Sequence, residues 1–90
     1  MSEDLTALDR DAVLAKVVEH LSTELEVPPA ELTESARFRE DLDADSLDLY
    51  ELVMELEDTY GVQVSEDEAA EIVTVGDAVD FVVAKLGIGA

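Results

Sequence analysis

The sequence has little of several residue types on which common protein functions depend. It has no cysteine and no tryptophan, and only two Phe and two Tyr among 90 residues. Without cysteine there is no disulfide framework, no thiolate metal site and no cysteine nucleophile. The scarcity of aromatic side chains disfavours a deep ligand pocket of the usual kind. No apolar run exceeds four residues, as from Phe81 to Ala84, so no membrane span is predicted. The acidic N-terminus does not resemble a signal peptide, and we expect a cytoplasmic protein.

Positive charge is also scarce. Twenty-four carboxylates stand against five basic residues, and the formal net charge is −19. The basic residues are Arg10, Lys16, Arg37, Arg39 and Lys85. Because phosphate contacts need Lys and Arg, nucleic-acid binding is disfavoured, and so is attraction to an anionic membrane. Basic protein surfaces are the expected partners, with charge steering the encounter. The alternative interpretation is that the acidity only maintains solubility or reflects a salty habitat.

Helical periodicity dominates the chain. Apolar residues recur at spacings of three and four over residues 8–25, which predicts an amphipathic first helix. Pro28 and Pro29 are expected to end it, because proline cannot continue a helix. Residues 27–44 lack a sustained period and predict a long loop. Three apolar residues are expected to anchor this loop to the core: Leu32, Phe38 and Leu42.

Three further helices are predicted from their start signals. Asp45 with Asp48, Ser65 with Glu68, and Thr74 with Asp77 each place a capping side chain three residues before an acidic one. These signals predict helices over residues 45–60, 65–73 and 74–86, the first ending at Gly61 and the last at Gly87. The expected fold is all-α, a small four-helix bundle of three main helices and one short helix. We expect a single domain over residues 1–90, with flexible ends at 1–7 and 87–90.

The second helix has two apolar groups. Its core-facing stripe comprises Leu49, Leu52, Val53, Leu56 and Tyr60. A second group of Leu47, Tyr50 and Met54 lies away from this stripe and is bordered by carboxylates. An apolar strip with an acidic rim suits docking by a partner protein. Alternatively, Leu47 and Tyr50 pack under the preceding loop and Met54 fills a gap.

Residues 41–62, DLDADSLDLYELVMELEDTYGV, strongly resemble the acyl carrier protein family, with Asp45-Ser46-Leu47-Asp48 at the centre of the match. The resemblance continues through SEDEAAEIVTVGDAVDFVV, residues 65–83, and covers roughly residues 10–84. A bare Asp-Ser-Leu is a weak signal. Here it lies at a predicted helix start in an acidic four-helix chain, with both later segments in register. Such a chain is expected to be a free-standing carrier without catalytic activity.

The resemblance implies a covalent 4'-phosphopantetheine on Ser46, which a phosphopantetheinyl transferase takes from coenzyme A. The arm's thiol then carries acyl chains as thioesters between acyl-chain synthesis enzymes with basic docking surfaces. A serine at a helix start is accessible, and the helix N-terminus favours a phosphate, although Asp45 and Asp48 oppose it. By position, the family's recognition surface corresponds to Asp45, Leu47, Asp48, Glu51, Met54 and Glu57. The lining of its acyl-chain site corresponds to Phe38, Leu56, Val64, Ala69, Ile72, Ala78 and Phe81, which ordinary core packing explains equally well.

Three residues depart from the family pattern. Asp43 stands where many members have glycine, Tyr50 where a smaller aliphatic residue is common, and Ser65 where proline is frequent. None removes a group that the modification needs. The second helix resembles carriers of general fatty-acid synthesis, which we favour over a polyketide or specialised-lipid pathway. A monomer is expected.

Three other functions compete with this assignment. Asp41, Asp43 and Asp45 match the start of an EF-hand calcium loop, but its sixth position is Ser46 instead of glycine and its twelfth is Leu52 instead of glutamate. No metal site is therefore predicted. An enzyme is disfavoured, because the one histidine, His20, belongs to no recognisable motif with Ser46. An acidic adaptor that only binds proteins remains open.

Overall fold

The computed structural model describes residues 9–87, which form a small all-helical bundle. Helix α1 is Arg10–Leu25, and a short 3-10 turn at Pro29–Glu31 follows it. After a long loop come α2 (Ser46–Tyr60), α3 (Glu66–Ala70) and α4 (Val75–Leu86). The predicted fold class is confirmed: three main helices, one short helix and a long loop after the first. No helix within residues 9–87 has the length and apolar character needed to cross a membrane.

Helix α1 begins where Asp9 caps it, with the Asp9 side chain accepting a hydrogen bond from the Ala12 N–H at 2.9 Å. The predicted start at residue 8 lies outside the described residues, as do the predicted flexible ends except for Gly87. The helix ends at Leu25, and Glu26 turns the chain in left-handed geometry (φ 58°). Pro28 and Pro29 therefore lie beyond the residues at which the helix ends, and Pro29 is the first residue of the 3-10 turn.

All three predicted helix starts are present, and each of them is a capping box. In each, the cap side chain accepts the third residue's backbone N–H, and that residue's carboxylate accepts the cap's N–H. The pairs are Asp45 with Asp48, Ser65 with Glu68, and Thr74 with Asp77. The prediction that α3 continues to about residue 73 was wrong. It stops at Ala70 because the chain leaves the helix to bury Ile72, which is 5% exposed.

The buried core of residues 9–87 is aliphatic apart from one aromatic side chain, that of Phe38. Helix α4 packs chiefly against α1, and α2 packs against both. The largest fully buried side chains are Phe38, Leu21, Leu52, Val13, Val17, Val75, Val79 and Val82. No polar or charged residue among residues 9–87 is buried. Most of the driving force is therefore apolar burial, at roughly 25 cal/mol per Å² removed from water.

The long loop is fixed by buried side chains and backbone bonds. Leu32, Phe38 and Leu42 are 3%, 1% and 9% exposed, which confirms the three predicted anchors. The Phe38 N–H donates to the Val73 carbonyl at 2.9 Å, and the Ala44 N–H donates to the Phe38 carbonyl at 2.8 Å. These bonds tie the loop to the chain before α4 and bring its end to the start of α2.

Candidate functional site

Ser46 is the first residue of α2, and its side chain is exposed. The preceding Asp45 caps the helix by accepting the Asp48 N–H at 3.0 Å. The Ser46 hydroxyl oxygen accepts a hydrogen bond of 2.7 Å from Nη2 of Arg39, which lies in a turn of the long loop. The structure thus presents the hydroxyl on the surface, next to a guanidinium and at the positive end of a helix dipole.

The loop residues before Ser46 hold this position by alternating burial. Leu42 and Ala44 are buried, whereas Asp43 between them is exposed. Asp43 adopts a left-handed conformation with φ of 56°. That conformation is costly for a residue with a Cβ and is readily adopted by glycine. The departure at Asp43 therefore places a residue with a side chain where the backbone geometry favours glycine.

We expect Asp43→Gly to raise the free energy of unfolding by about 0.5–1 kcal/mol, because relief of the left-handed strain exceeds the added entropy of the unfolded chain. Urea unfolding of the two proteins measures the difference. Asp43→Asn is the control, since it removes the charge and keeps a side chain of the same shape. An equal gain from Asn and Gly would attribute the effect to charge and contradict the backbone argument.

A cavity of about 360 Å³ opens beside Ser46, between α2, α3 and the long loop. Its lining residues are Phe38, Arg39, Glu40, Ser46, Leu49, Tyr50, Leu52, Val53, Leu56, Glu66, Ala69, Ala70, Ile72 and Val73. Most of these side chains are apolar, while Ser46, Arg39, Glu40 and Glu66 supply its polar atoms. The cavity therefore joins an exposed hydroxyl to an apolar interior.

Four of the seven residues predicted as an acyl-chain lining reach this cavity: Phe38, Leu56, Ala69 and Ile72. The other three, Val64, Ala78 and Phe81, do not line it. Ala78 is fully buried, and Val64 and Phe81 pack against the core. Ala78 and Phe81 belong to α4, which packs chiefly on α1 and leaves the cavity to α2 and α3. Their side chains are therefore accounted for by the core.

Sequence reasoning missed Leu49, Leu52 and Val53 as cavity-lining residues. All three were placed in the core-facing stripe of α2, and the structure buries Leu52 and Val53. A helix that faces both a core and a cavity shows the same apolar period for both. Two features of the sequence are consistent with a cavity here. The apolar stripe of α2 is wide, and the small residues Ala69 and Ala70 of α3 leave space opposite it.

The apolar residues outside this stripe form an exposed patch. Leu47 and Tyr50 are each 62% exposed, and Met54 and Val73 are each 49% exposed. The alternative in which Leu47 and Tyr50 pack under the loop is therefore wrong. Tyr50 and Val73 also line the cavity, so the patch borders its rim. The sequence did not indicate Val73, because it follows α3 and reaches the patch only through the tertiary fold.

The acidic residues predicted for recognition have different surroundings. Asp45 and Asp48 are joined in the capping box. Glu57 accepts the Val64 N–H at 2.9 Å, which ties the end of α2 to the following segment. Glu51 is exposed on α2. Asp45, Asp48 and Glu57 thus have structural roles in the isolated chain, beside any role in recognition.

Carboxylate pKa values in the bundle move in both directions. The Asp48 backbone N–H holds the pKa of Asp45 below its usual 3.8. Hydrogen bonds from the Arg37 backbone and side chain lower the pKa of Asp41 in the same way. By contrast, the Glu24 carboxyl raises the pKa of Glu51 above its usual 4.5, by sharing a hydrogen bond and by charge repulsion. Contacts that favour the charged form lower a carboxyl pKa, and a like charge raises it.

We expect thermal stability to pass through a maximum at mildly acidic pH. The pKa of Glu51 is raised above its usual 4.5 in the folded state, so stability increases as pH falls through that raised pKa and the carboxyl takes up its proton. Asp41 and Asp45 have lowered pKa values, so their stabilisation is present above 3.8 and is lost as pH falls further. Melting curves from pH 8 to pH 3 measure the profile, and Glu51→Gln should flatten its upper limb. A steady fall from neutral pH would contradict this assignment.

The residues considered for a calcium-binding loop and for catalysis do not form a site together. Asp41 accepts the Arg37 N–H at 2.8 Å, Asp43 is exposed, and Asp45 caps α2. His20 lies on α1, and its Nε2 is buried without a hydrogen-bond partner among residues 9–87. The Ser46 hydroxyl accepts its hydrogen bond from Arg39, whose guanidinium has donors and no acceptor and so provides no general base.

An exposed serine at a helix N-terminus, beside an apolar cavity in a small acidic bundle, is typical of carrier domains that bear a flexible prosthetic arm. The family model "Phosphopantetheine attachment site" matches residues 15–82. The chain is 50% identical over 76 residues to the acyl carrier protein of Rubrobacter xylanophilus. This alignment covers 84% of this chain and 94% of that relative. Identity to the acyl carrier protein of Lactobacillus acidophilus is 38% over 80 residues, covering 89% of this chain and all of the relative.

A solved structure also shows similarity to an acyl carrier protein. The acyl carrier protein from Enterococcus faecalis superposes with a TM-score of 0.76 at 37% identity, over 87% of this chain and 99% of that one. The chain belongs to the acyl carrier protein family, as its sequence motif indicated. It is a carrier whose prosthetic group is a covalently attached 4'-phosphopantetheine.

The residues around Ser46 suit this group. An arm joined through a phosphodiester needs a hydroxyl open to solvent, and the Ser46 side chain is exposed. It also needs space for an apolar cargo, and the cavity of about 360 Å³ begins at Ser46. A cation near the new phosphate is favourable, and Arg39 is within hydrogen-bond distance of the oxygen.

Proposed function

We propose that Ser46 is the attachment residue and that the chain shuttles thioester-bound acyl intermediates between the enzymes of fatty-acid synthesis. The observation that carries this proposal is the exposed Ser46 hydroxyl at the start of α2, on the rim of the apolar cavity. When bound, the arm supplies the thiol that holds the acyl group. The chain itself supplies the attachment oxygen, the docking surface and the cavity, and it catalyses no reaction.

Loading requires only one reactive atom from this chain. The Ser46 oxygen forms a bond to phosphorus as a phosphoanhydride bond of coenzyme A breaks. The hydroxyl proton passes to a base on the phosphopantetheinyl transferase, and adenosine 3',5'-bisphosphate leaves. Because the Ser46 oxygen accepts its bond from Arg39, its own hydrogen remains free to be donated to that base.

The exposed face of α2 is the proposed docking surface for the transferase and the acyl-chain synthesis enzymes. Its centre is apolar, with Leu47 exposed next to Ser46 in the chain and Met54 exposed further along the helix. Asp45, Asp48, Glu51 and Glu57 supply the acidic rim, which favours partners with basic surfaces. Such interfaces gain association rate and orientation from charge, and affinity from their apolar centre.

The cavity is the proposed shelter for the acyl chain. Phe38, Leu56, Ala69 and Ile72 form part of its wall, and an apolar chain gains about 0.8 kcal/mol per CH₂ group removed from water. Val64, Ala78 and Phe81 are not included in this proposal, because they contact the core instead.

The remaining parts of the proposal follow from the family and the chain's chemistry. We place the carrier in the cytoplasm with the synthesis enzymes, as a monomer with one acyl-carrier domain over residues 1–90. Residues 9–87 form one bundle with a continuous core, which supports the single domain. The abundance of carboxylates disfavours nucleic acid and membrane partners. A polyketide or specialised-lipid pathway is the alternative, in which the same residues would have the same roles.

Intact mass after incubation with coenzyme A and a phosphopantetheinyl transferase tests the proposal. We expect the chain to gain one phosphopantetheine, and peptide mapping to place it on Ser46. A later incubation with malonyl-coenzyme A and its acyl transferase should add a malonyl thioester. An unchanged mass would instead support a protein-binding adaptor, and an arm on another serine would refute the assignment of Ser46.

A further inference from the structure

Arg39 has surroundings unlike those of the other four basic residues. Each of those lies within 4.0 Å of at least one carboxylate. The pairs are Arg10 with Glu34 and Asp80, Lys16 with Glu19, Arg37 with Glu40 and Asp41, and Lys85 with Glu68. Within residues 9–87, the Arg39 guanidinium has no carboxylate this close, and its one hydrogen bond goes to the Ser46 oxygen.

This contact is unexpected in a chain with so many carboxylates. A hydroxyl is a weaker partner for a guanidinium than a carboxylate, because charge-assisted bonds between ionised groups are about twice as strong as neutral ones. Arg39 nonetheless approaches the serine oxygen to 2.7 Å. It is exposed and has the glutamate of the next residue, Glu40, in the same turn. Its position is thus matched to the attachment oxygen.

Attachment changes the charge at this position. A phosphodiester on the Ser46 oxygen carries one negative charge on its non-bridging oxygens, two bonds away from the atom that Arg39 already contacts. Asp45 and Asp48 flank Ser46 in sequence, and their carboxylates lie in the capping box at the same helix end. Like charges this close oppose one another, and the helix dipole offsets only part of the repulsion. A neighbouring cation would offset the rest.

We propose that Arg39 is a positioning residue that binds the phosphodiester of the loaded carrier. This inference rests on the proposed role of Ser46. A guanidinium has five N–H donors in a planar fork, so it bonds to phosphate oxygens readily and often in pairs. Arg39 and Ser46 both line the cavity. Bonding between Arg39 and the phosphodiester therefore fixes the base of the arm at the cavity rim.

The test compares Arg39→Gln with Arg37→Gln. Both variants remove one positive charge from the same turn, but Arg37 pairs with Asp41 and does not contact Ser46. Each protein is loaded with excess transferase, and loading is verified by intact mass. The melting temperatures of the unloaded and loaded forms are then compared at low salt, and the phosphorus NMR signal of each loaded form is recorded.

We expect loading to lower the melting temperature of Arg39→Gln by about 2–5 °C relative to its effect on the wild type, because the new charge is uncompensated. The difference should nearly vanish in 1 M salt, where charges are screened within about 3 Å. The phosphorus signal should move in Arg39→Gln and stay at the wild-type position in Arg37→Gln. Arg39→Lys should restore the melting temperature only in part, because it keeps the charge and loses the planar fork.

A measurement on the wild type alone keeps the inference falsifiable if a variant folds or loads poorly. The Nε–H NMR signal of Arg39 should shift on loading, and that of Arg37 should stay in place. Equal behaviour of Arg39→Gln and Arg37→Gln, or an unmoved Arg39 signal in the loaded wild type, would overturn the inference and leave the role of Ser46 intact. A wild type that gains no arm would instead refute the proposed function.

Discussion

Ser46→Ala is expected to gain no arm under conditions that load the wild type completely. The substitution removes the exposed hydroxyl of the first residue of α2. It should leave the fold intact, because the hydroxyl is exposed and its bond is to the surface side chain of Arg39. Alanine also has the highest helix propensity. Intact mass measures loading, and melting curves should agree with those of the unloaded wild type within about 2 °C.

Ser65→Ala is the matched control, since Ser65 also lies at the start of a helix. Its hydroxyl accepts the Glu68 N–H at 3.1 Å and completes the capping box of α3. Loss of such a cap costs about 1 kcal/mol of unfolding free energy. Ser65→Ala should therefore melt at a lower temperature and still take one arm. Loading of Ser46→Ala, or failure of Ser65→Ala to load, would contradict the assignment of the site.

Phe38→Ala should lower the free energy of unfolding by about 3–5 kcal/mol, the range for truncating a buried phenylalanine. The ring is 1% exposed and is the largest fully buried side chain. It lies between the core and the cavity, so its removal merges a new void with space that already exists. A bundle of this size has roughly 5–15 kcal/mol of stability in total. The loss would therefore leave a large fraction of the protein unfolded at moderate urea concentration.

Phe81→Ala provides the comparison for this prediction. Phe81 is half-buried, packs against the core from α4 and does not line the cavity. Lys85 lies over its ring, with Nζ 5.2 Å from the ring centre. Truncation there should cost clearly less than at Phe38. Urea unfolding of both variants measures the two losses, and equal values would show that Phe38 has no special place between core and cavity.

The helix starts were predictable because their signals are local. Each capping box is decided by two residues three positions apart, and the bonds form within one helical turn. The end of α3 was not predictable in the same way. The helix ends before residue 73 because Ile72 is buried in the core. The free energy gained by this burial depends on core residues that are distant in the sequence.

The surface position of Ser46 was predictable, and its surroundings were less so. The motif at residues 45–48 indicated Ser46 as the residue that we propose for attachment, and the fold presents its side chain at the surface. The bond between Arg39 and Ser46 joins residues seven positions apart in the sequence, and no periodic pattern predicts a contact across an irregular loop. The conformation of Asp43 likewise follows from the burial of its neighbours Leu42 and Ala44. Whether an apolar residue of α2 lines the cavity or only the core depends on how whole helices pack, which is a property of the tertiary structure.

Helix α3 bounds one side of the cavity that we propose as the shelter for the acyl chain, so its position sets the space available there. The segment that contains it is attached to the core at Val62 and Ile72, which are 8% and 5% exposed, and none of the residues between them is buried. Its capping box is satisfied internally, and the ion pair of Glu68 with Lys85, at 3.0 Å, joins it to α4. The cavity is thus bounded on one side by α2, whose residues Leu52, Val53 and Leu56 are buried, and on the other by a segment with no buried residue between Val62 and Ile72. We expect an outward shift of α3 to enlarge the cavity with less loss of buried apolar contact than a shift of α1, α2 or α4.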